Sequence, residues 1–208
     1  WLFMSNKKTS YIRLLHASPK APAVDVYSNG DNLLADDLFY GEFTPYIPVL
    51  PGTYSIDIYP ANNSDNPILT KEIVLPEKTI NTITVIGELP NIELFIVNDP
   101  VEPIKHTSSK VRFVNISPDS PALDLVQPNG STLFENVKYK EVTDYITMSP
   151  KSYTVQLVPT GTGKSILYVP NIRLLPDAFY TFYTIGLVKG NPYIQLLIPL
   201  DGNSYIQT

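Results

Sequence analysis

The sequence predicts an all-β protein made of two tandem antiparallel β-sandwich domains, and three observations carry this prediction. Apolar and polar residues alternate with a period of two, as at 55–59 and 154–158, which indicates strands with one face in a core. Proline accounts for 20 of the 208 residues and excludes long helices, because it lacks the backbone N–H and clashes with the preceding turn. The chain also matches itself along most of its length.

The internal repeat is sharpest in a motif, Ser-Pro-x-x-Pro-Ala-x-Asp, that occurs once in each half of the chain. Its residues of interest are Ser18, Pro19, Pro22 and Asp25 in the first copy, and Ser117, Pro118, Pro121 and Asp124 in the second. Aligning the copies predicts an N-terminal segment at 1–10, a first sandwich at 11–99, a linker at 100–109 and a second, diverged sandwich at 110–208.

Each copy contains further short runs of apolar and β-branched residues, bounded by Pro, Gly, Asn or Asp. In the first copy these runs lie at 12–15, 24–27, 80–86 and 92–97. About seven or eight strands in a domain of this length are typical of an immunoglobulin-like sandwich. The chain has no cysteine and so lacks the Cys-Trp-Cys signature of antibody domains, and the prediction goes no further than this class.

The composition offers little for catalysis. Without cysteine there is no disulfide, thiolate nucleophile or Cys-ligated zinc site. The chain has two histidines, His16 just before the motif and His106 in the linker, which disfavours a Ser-His-Asp triad or a two-His zinc site. Residues 161–165 (Gly-Thr-Gly-Lys-Ser) lack the full spacing of a phosphate-binding loop and predict a hairpin turn. We therefore expect no catalytic residues and a protein that is not an enzyme.

The charge of the chain argues against nucleic acid as a partner. Residues 11–99 carry 4 Lys or Arg and 12 Asp or Glu, whereas residues 110–208 carry 8 and 7. Neither copy has the basic excess that phosphate binding requires.

No apolar run reaches the roughly 18 residues of a membrane-spanning helix, so no transmembrane segment is expected in this chain. The N-terminus lacks a signal-peptide pattern, and any export signal is expected outside the visible chain.

The repeated motif has two interpretations. Its prolines fix φ and stiffen the loop, and an unpaired carboxylate inside an apolar strand is costly. We predict that Asp25 and Asp124 accept hydrogen bonds from backbone N–H groups or from the serine of their own loop, so that the motif is a structural latch. The alternative is that the loop and its aspartate form part of a ligand or cation site.

Calcium is the one cofactor that the sequence suggests. Asn62 and Asp65 lie in the polar run 62–66, and further carboxylates of the same copy lie in other predicted loops, at Asp31, Asp36 and Asp37. Oxygen donors at close spacing are what Ca²⁺ requires. The spacing fits no EF-hand, however, and Asn, Asp and Ser are ordinary turn residues, so turns without any cation are the alternative.

Tyrosine is the last unusual feature, with 14 residues in the chain. Four of them occupy equivalent segments of the two copies: Tyr40 and Tyr46, and Tyr139 and Tyr145. Exposed tyrosines bind glycans and proteins well, because a flat amphipathic ring gives contact area at a low entropy cost. The four residues therefore predict either an aromatic binding surface or the packing and protection of a sheet edge.

The first copy resembles a known family over nearly its whole length. The resemblance is carried by the run HASPKAPAVDVY at 16–27, by Gly-Glu-Phe at 41–43 and by Pro-Gly-Thr-Tyr at 51–54. These segments are similar to the bacterial domain of unknown function 4397. The second copy departs from the pattern, with Asn115 in place of the histidine and Lys140 and Lys151 in place of glycines. The resemblance implies an extracellular or cell-envelope β-sandwich, often in tandem, with no established activity.

These observations together predict a non-enzymatic binding, adhesion or spacer module of the cell envelope or of a secreted protein. A cell-wall component, a glycan or a surface protein is the expected partner. Two alternatives stay open: an accessory domain pair of a secreted enzyme that acts on polysaccharide, and a surface subunit that assembles through exposed strand edges. The sequence leaves the oligomeric state undetermined.

Overall fold

The computed structural model describes residues 9–63 and 65–206, and strands account for about half of them. The strands of the first sandwich are β1 (Ser10–His16), β2 (Val24–Ser28), β3 (Asn32–Leu38), β4 (Ile47–Val49), β5 (Gly52–Pro60), β6 (Leu69–Leu75), β7 (Ile80–Ile86) and β8 (Glu93–Asn98). They form one sheet in the order β4-β1-β7-β8 and another in the order β3-β2-β5-β6. Most of the predicted N-terminal segment at 1–10 lies outside the described residues.

The second sandwich repeats this arrangement. Its strands are β9 (Ser109–Asn115), β10 (Leu123–Val126), β11 (Thr132–Val137), β12 (Glu141–Val142), β13 (Ile146–Met148), β14 (Ser152–Pro159), β15 (Leu167–Arg173), β16 (Ala178–Ile185) and β17 (Gln195–Leu197). One sheet has the order β12-β9-β16-β17, with β13 also paired to β9, and the other has the order β11-β10-β14-β15. A short 3-10 helix at Gly202–Ser204 follows the last strand.

The predicted fold class, two tandem β-sandwiches, is confirmed. Most strand pairs are antiparallel, but β1 pairs in parallel with β7, and β9 pairs in parallel with β16. The parallel pairs arise because the chain crosses to the other sheet between these strands instead of turning back directly. The exact bounds 11–99 and 110–208 stay a prediction. No helix in the described part of the chain is long and apolar enough to cross a membrane.

Each sandwich has its own apolar core between its two sheets, as the period-two alternation requires. The central side chains are Ile12, Leu14, Val26, Ile58, Ile83 and Val85 in the first core, and Val111, Phe113, Leu125, Leu157, Tyr180 and Phe182 in the second. A fully buried aliphatic side chain contributes roughly 1.5–3 kcal/mol to stability. Each core therefore supplies a large favourable term for its own sandwich.

A third apolar cluster joins the two sandwiches. Its buried members are Leu15, Ala17, Ile86 and Val97 from the first sandwich, and Val114, Ile116, Tyr183 and Ile185 from the second. These residues come from the sheets that contain β1 and β9, which we call the inner sheets. Every residue of β7 and of β16 is buried, because these strands are covered on both faces. The sheets that contain β2 and β10, the outer sheets, lie on the far side of each sandwich.

Candidate binding site and interdomain interface

The serine of each motif fixes the loop that leaves the first strand of its sandwich. Ser18 Oγ donates a hydrogen bond to the carbonyl of Gly87 at 2.7 Å, and Ser117 Oγ donates to the carbonyl of Gly186 at the same distance. Pro19 lies in the tight turn that follows Ser18, as Pro118 follows Ser117. The motif thus ties the loop after β1 to the turn after β7, and the loop after β9 to the turn after β16.

His16 performs the same packing role as its counterpart in the second copy. The ring of His16 contacts the carbonyl of Pro22 through Nε2 at 2.9 Å and accepts from the Ser18 N–H through Nδ1. Asn115 accepts from the Ser117 N–H and donates to the carbonyl of Val137. Burial lowers the pKa of His16, with the bond to Pro22 opposing the shift. The side chain therefore acts as a neutral hydrogen-bonding group that an amide replaces.

Asp25 and Asp124 hold an irregular part of each outer sheet. Asp25 accepts backbone N–H groups from Asp37 at 2.8 Å and from Asn62 at 3.3 Å. Asp124 accepts the N–H of Asn136 at 2.7 Å and the hydroxyl of Thr160 at 2.6 Å. Asp37, Asn62 and Asn136 all have positive φ, and the pairing of β2 with β3 shifts register beside Asp25. Each carboxylate therefore stabilises a strained bulge, and neither bonds to the motif serine.

Replacing Asp25 with alanine tests the latch interpretation. We expect the free energy of unfolding to fall by about 1–3 kcal/mol, because two backbone donors lose a charged acceptor. In a chain of this size this loss lowers the melting temperature by roughly 2–4 °C per kcal/mol. Asp25→Asn is expected to lose less, because its amide oxygen still accepts one bond. Circular dichroism melts with calcium and with a chelator measure the effect.

Asp57→Ala is the control for this experiment, because Asp57 is on the same sheet and its side chain, among the described residues, bonds only to the hydroxyl of Thr70. An unchanged melting temperature for Asp25→Ala, combined with a lost response to calcium, would favour the cation site instead.

The residues considered for calcium do not form a recognisable metal centre. No group of three or more His, Asp or Glu side chains in residues 9–63 and 65–206 is placed to hold a metal ion. Asp37 and Asn62 meet at Asp25 through their backbone N–H groups, which are donors and not ligands. Asp31, Asp36 and Asp65 are exposed. Residue 64 of this loop lies outside the described residues, and calcium binding stays an untested prediction.

The tyrosines of the two equivalent segments lie at the interface between the sandwiches. Tyr40 and Tyr139 pack against the third apolar cluster. The hydroxyl of Tyr46 donates to Asp99 at 2.5 Å, and that of Tyr145 donates to Asp201 at 2.7 Å. All four tyrosines are half-buried. They are therefore part of the packing between the sheets and do not form an open aromatic surface.

Two buried ion pairs cross between the sandwiches at this interface. Arg13 of the first sandwich pairs with Asp201 of the second at 3.2 Å, and Arg112 of the second sandwich pairs with Asp99 of the first. The four side chains are between 0 and 5% exposed. Arg13 and Arg112 occupy equivalent positions, so the two pairs are related by an approximate two-fold symmetry. Each sandwich therefore supplies the carboxylate that neutralises the buried arginine of the other.

Further contacts satisfy both guanidinium groups. Arg13 donates to the carbonyl of Leu200 at 2.9 Å and to the hydroxyl of Thr82 at 2.9 Å. Arg112 makes the matching bonds to the carbonyl of Asn98 and to the hydroxyl of Thr181. The guanidinium carbon of Arg13 lies over the ring of Tyr46, and that of Arg112 lies over the ring of Tyr145. Each carbon is 4.7 Å from the ring centroid. A buried ion pair requires such additional bonds, because the desolvation of both charges opposes their attraction.

Burial and electrostatic interactions within this cluster shift the pKa values of its members. Burial, together with repulsion from Asp99, raises the pKa of Asp201 to about 6, although Arg112 and Arg13 act in the opposite direction. Burial, reinforced by the neighbouring carboxylates, also raises the pKa values of Tyr46 and Tyr145 well above the usual tyrosine range. Both phenols therefore stay protonated and donate to the aspartates at neutral pH.

The outer sheet of the second sandwich carries a groove of about 590 Å³. Val126 and Val158 line it together with Gln156, Glu135 and the glycine-containing turn that follows β14. No hydrogen bond or ion pair among the described residues uses the amide of Gln156 or the carboxylate of Glu135. Both groups are therefore available to a ligand. The turn that follows β14 contains the predicted hairpin at 161–165, which joins β14 to β15.

The same region of the first sandwich is occupied by aromatic rings. Tyr27 pairs with Asp57, and Tyr59 with Asp25, across β2 and β5. Val126 and Val158 hold the equivalent positions in the second sandwich, opposite Gln156 and Asp124. The rings of Tyr27 and Tyr59 meet edge to face, with centroids 5.7 Å apart. The tyrosine rings fill this space in the first sandwich. The smaller valines leave the equivalent space open in the second.

The structure thus defines a tandem β-sandwich protein whose halves join through crossed buried ion pairs, with a groove on one outer face. The profile of the family "Domain of unknown function (DUF4397)" matches residues 10–126 and 117–204. The chain belongs to this family, which is the one that its motifs resemble. No curated protein matches it in sequence.

Several solved structures are similar to the chain at a low level. The Bacillus anthracis TIE protein is 10% identical with a TM-score of 0.27, over 86% of this chain and 34% of that one. This chain thus spans about a third of that protein's length. A streptococcal virulence factor described by its alpha-glucan binding is 11% identical, with a TM-score of 0.29 over 96% and 100% of the two chains. The module CBMbc of Eubacterium rectale Amy13K, in complex with maltoheptaose, is 10% identical, with a TM-score of 0.26 over 94% and 99%. Similarity at this level carries no argument about function.

Proposed function

We propose that this chain is a non-enzymatic binding module of the bacterial cell envelope or of a secreted protein, in which two sandwiches act as one rigid unit. The observation that supports this proposal most directly is the crossed pairing of Arg13 with Asp201 and of Arg112 with Asp99. Because each pair has one partner in each sandwich, separating the sandwiches would leave four buried charged side chains without their ion-pair partners.

The position of the ionisable groups supports a binding role over catalysis. Clusters of buried charges with shifted pKa values often mark active sites. In this chain Asp99 and Asp201 are 1% and 0% exposed, so a substrate has no access to them. Their oxygens are also fully engaged by arginine, tyrosine and threonine donors. The cluster is therefore best explained as a structural contact that holds the two sandwiches together as one rigid module.

The outer sheets are the surfaces on which such a module would bind. They lie on opposite sides of the joined inner sheets and carry the polar and aromatic side chains described above. Two of their edge strands, β6 and β15, are poor sites for assembly between molecules. Strand β15 contains the exposed Pro170 and a left-handed Asn171, and β6 exposes Lys71 and Glu72. Proline, charge and irregular backbone all discourage pairing of strand edges, so a binding module is favoured over a self-assembling subunit.

Co-sedimentation with purified bacterial cell-wall sacculi tests the proposal. We expect saturable binding of the intact chain to the pellet, with the same dissociation constant in calcium and in chelator. A β-sandwich protein of similar size and charge serves as the control for trapping. Recovery of the whole chain in the supernatant, under both conditions and at every sacculus concentration, would overturn the envelope-binding proposal.

A further inference from the structure

We infer that the groove on the outer sheet of the second sandwich binds an uncharged hexose oligosaccharide. This inference rests on the proposed function and names the ligand class for one of its surfaces. The groove has a volume of about 590 Å³, which lies within the range of small-ligand sites. It lies on the face directed away from the first sandwich, so a long polymer can pass across it without meeting the interface.

The lining has the mixed chemistry that a sugar ring requires. Val126 and Val158 give an apolar floor for the C–H face of a pyranose. The amide of Gln156 and the carboxylate of Glu135 are planar groups with unused hydrogen-bonding capacity. Such groups can bond two neighbouring hydroxyls of one sugar. The combination of an apolar surface with a few convergent polar groups is typical of ligand sites.

An exposed tyrosine extends this surface beyond the groove. Tyr168 pairs with Gln156 in the register of β14 and β15, so the two side chains leave the sheet on the same face. Tyr168 is 57% exposed. An aromatic ring in this position offers a stacking platform for the next sugar of a chain.

The charge around the groove favours an uncharged ligand over an anionic polymer. Glu135 and Asp124 both line the groove, and no lysine or arginine among the described residues lines it with them. Two carboxylates repel a phosphate- or uronate-containing chain. Amide and hydroxyl groups, such as those of Gln156 and Thr160, have no such preference and suit neutral hydroxyls.

The tyrosines of the first sandwich suggest a variant that fills the groove of the second. Tyrosine is the native residue at the positions equivalent to Val126 and Val158, so Val126→Tyr with Val158→Tyr places a side chain that this sheet geometry accommodates. Gln156→Ala and Glu135→Ala remove the polar groups without filling the groove. Asp36→Ala is the matched control, because Asp36 is the exposed counterpart of Glu135 in the first sandwich. Melting temperatures show that each variant is folded.

Affinity electrophoresis of the intact chain provides the readout. The native gels contain glycogen, mixed-linkage β-glucan or galactomannan as neutral probes, and polygalacturonate as the anionic probe. We expect retardation by at least one neutral probe and not by polygalacturonate. The tyrosine double variant and Gln156→Ala should each weaken that binding at least tenfold, whereas Asp36→Ala should leave it unchanged.

The outcomes separate this inference from the proposed function. Equal retardation of the wild type and of the tyrosine double variant by a neutral probe would overturn the groove as the site, whereas retention of both proteins on sacculi would leave the envelope-binding proposal intact. If none of the neutral probes retards the wild type, or if polygalacturonate alone retards it, the assignment of an uncharged ligand would also be overturned.

Discussion

Replacing Arg112 with methionine is expected to lower the free energy of unfolding by about 3–5 kcal/mol, because it leaves a buried carboxylate without its counter-charge. Asp99 is 1% exposed and then keeps only the bond from the Tyr46 hydroxyl to its side chain. The substitution also removes the donor to the Asn98 carbonyl and the cation over the Tyr145 ring. Methionine fills much of the same volume, so the loss measures charge more than packing. Urea unfolding monitored by circular dichroism gives the value.

Three further variants distinguish the interface from ordinary surface charge. Arg13→Met should cost about as much as Arg112→Met, because its contacts are equivalent. Lys20→Met should cost less than about 1 kcal/mol, since Lys20 and Glu88 form an exposed pair. The double variant Arg112→Met with Asp99→Asn should recover part of the loss, because no charge remains unpaired at that position. A loss for Arg112→Met no greater than that for Lys20→Met would show that the crossed pairs do not hold the sandwiches together.

Replacing Gly186 with alanine is expected to cost roughly 2–5 kcal/mol. Gly186 has a φ of +84°, where a side chain costs about 1–2 kcal/mol. A Cβ at this position would also lie 2.5 Å from the carbonyl oxygen of Tyr193. That oxygen belongs to the backbone and cannot move aside as a flexible side chain can, so an overpacking cost of typically 1–3 kcal/mol is added. The turn is also the one that accepts the bond from Ser117.

Gly161→Ala is the matched control for this prediction. Gly161 has a similar φ of +79°, but a Cβ at that position would have no atom within 4 Å beyond those of the glycine and its two chain neighbours. Gly161→Ala should therefore lower the free energy of unfolding only by the cost of the left-handed backbone, about 1–2 kcal/mol. Urea denaturation of both variants measures the difference. Equal losses in the two variants would mean that the contact with Tyr193 adds nothing.

Local features of the fold could be predicted from the sequence because they depend on nearby residues. The alternation at 55–59 and 154–158 marked strands β5 and β14, and the repeated motif marked equivalent loops. The prediction that Asp25 is bonded by backbone N–H groups followed from the cost of an unpaired carboxylate in an apolar strand, although Asp25 lies on the outer face of its sheet and is only half-buried. Which N–H groups it bonds, those of Asp37 and Asn62, depends on a bulge that the sequence pattern does not specify.

The interface was not predicted, because it is formed by residues that are far apart in the chain. One signal was present: Arg13 and Arg112 each stand in an otherwise apolar run, at the same position of the two copies. A strand covered on both faces loses its alternation, and a charge repeated at one position of such a strand indicates a buried partner. The groove depended likewise on a difference between the copies, tyrosine against valine, whose effect requires the register of β2, β5, β10 and β14.

Native-state amide hydrogen exchange tests most directly whether the two sandwiches form one unit. The core strands β7 and β16 lie in different sandwiches and on both sides of the interface. If the crossed pairs join them, the slowest amides of the two strands should exchange through one global opening with the same free energy, and Arg112→Met should lower both values equally. Exchange of one strand while the other remains protected would show that the sandwiches unfold independently and would contradict the rigid module.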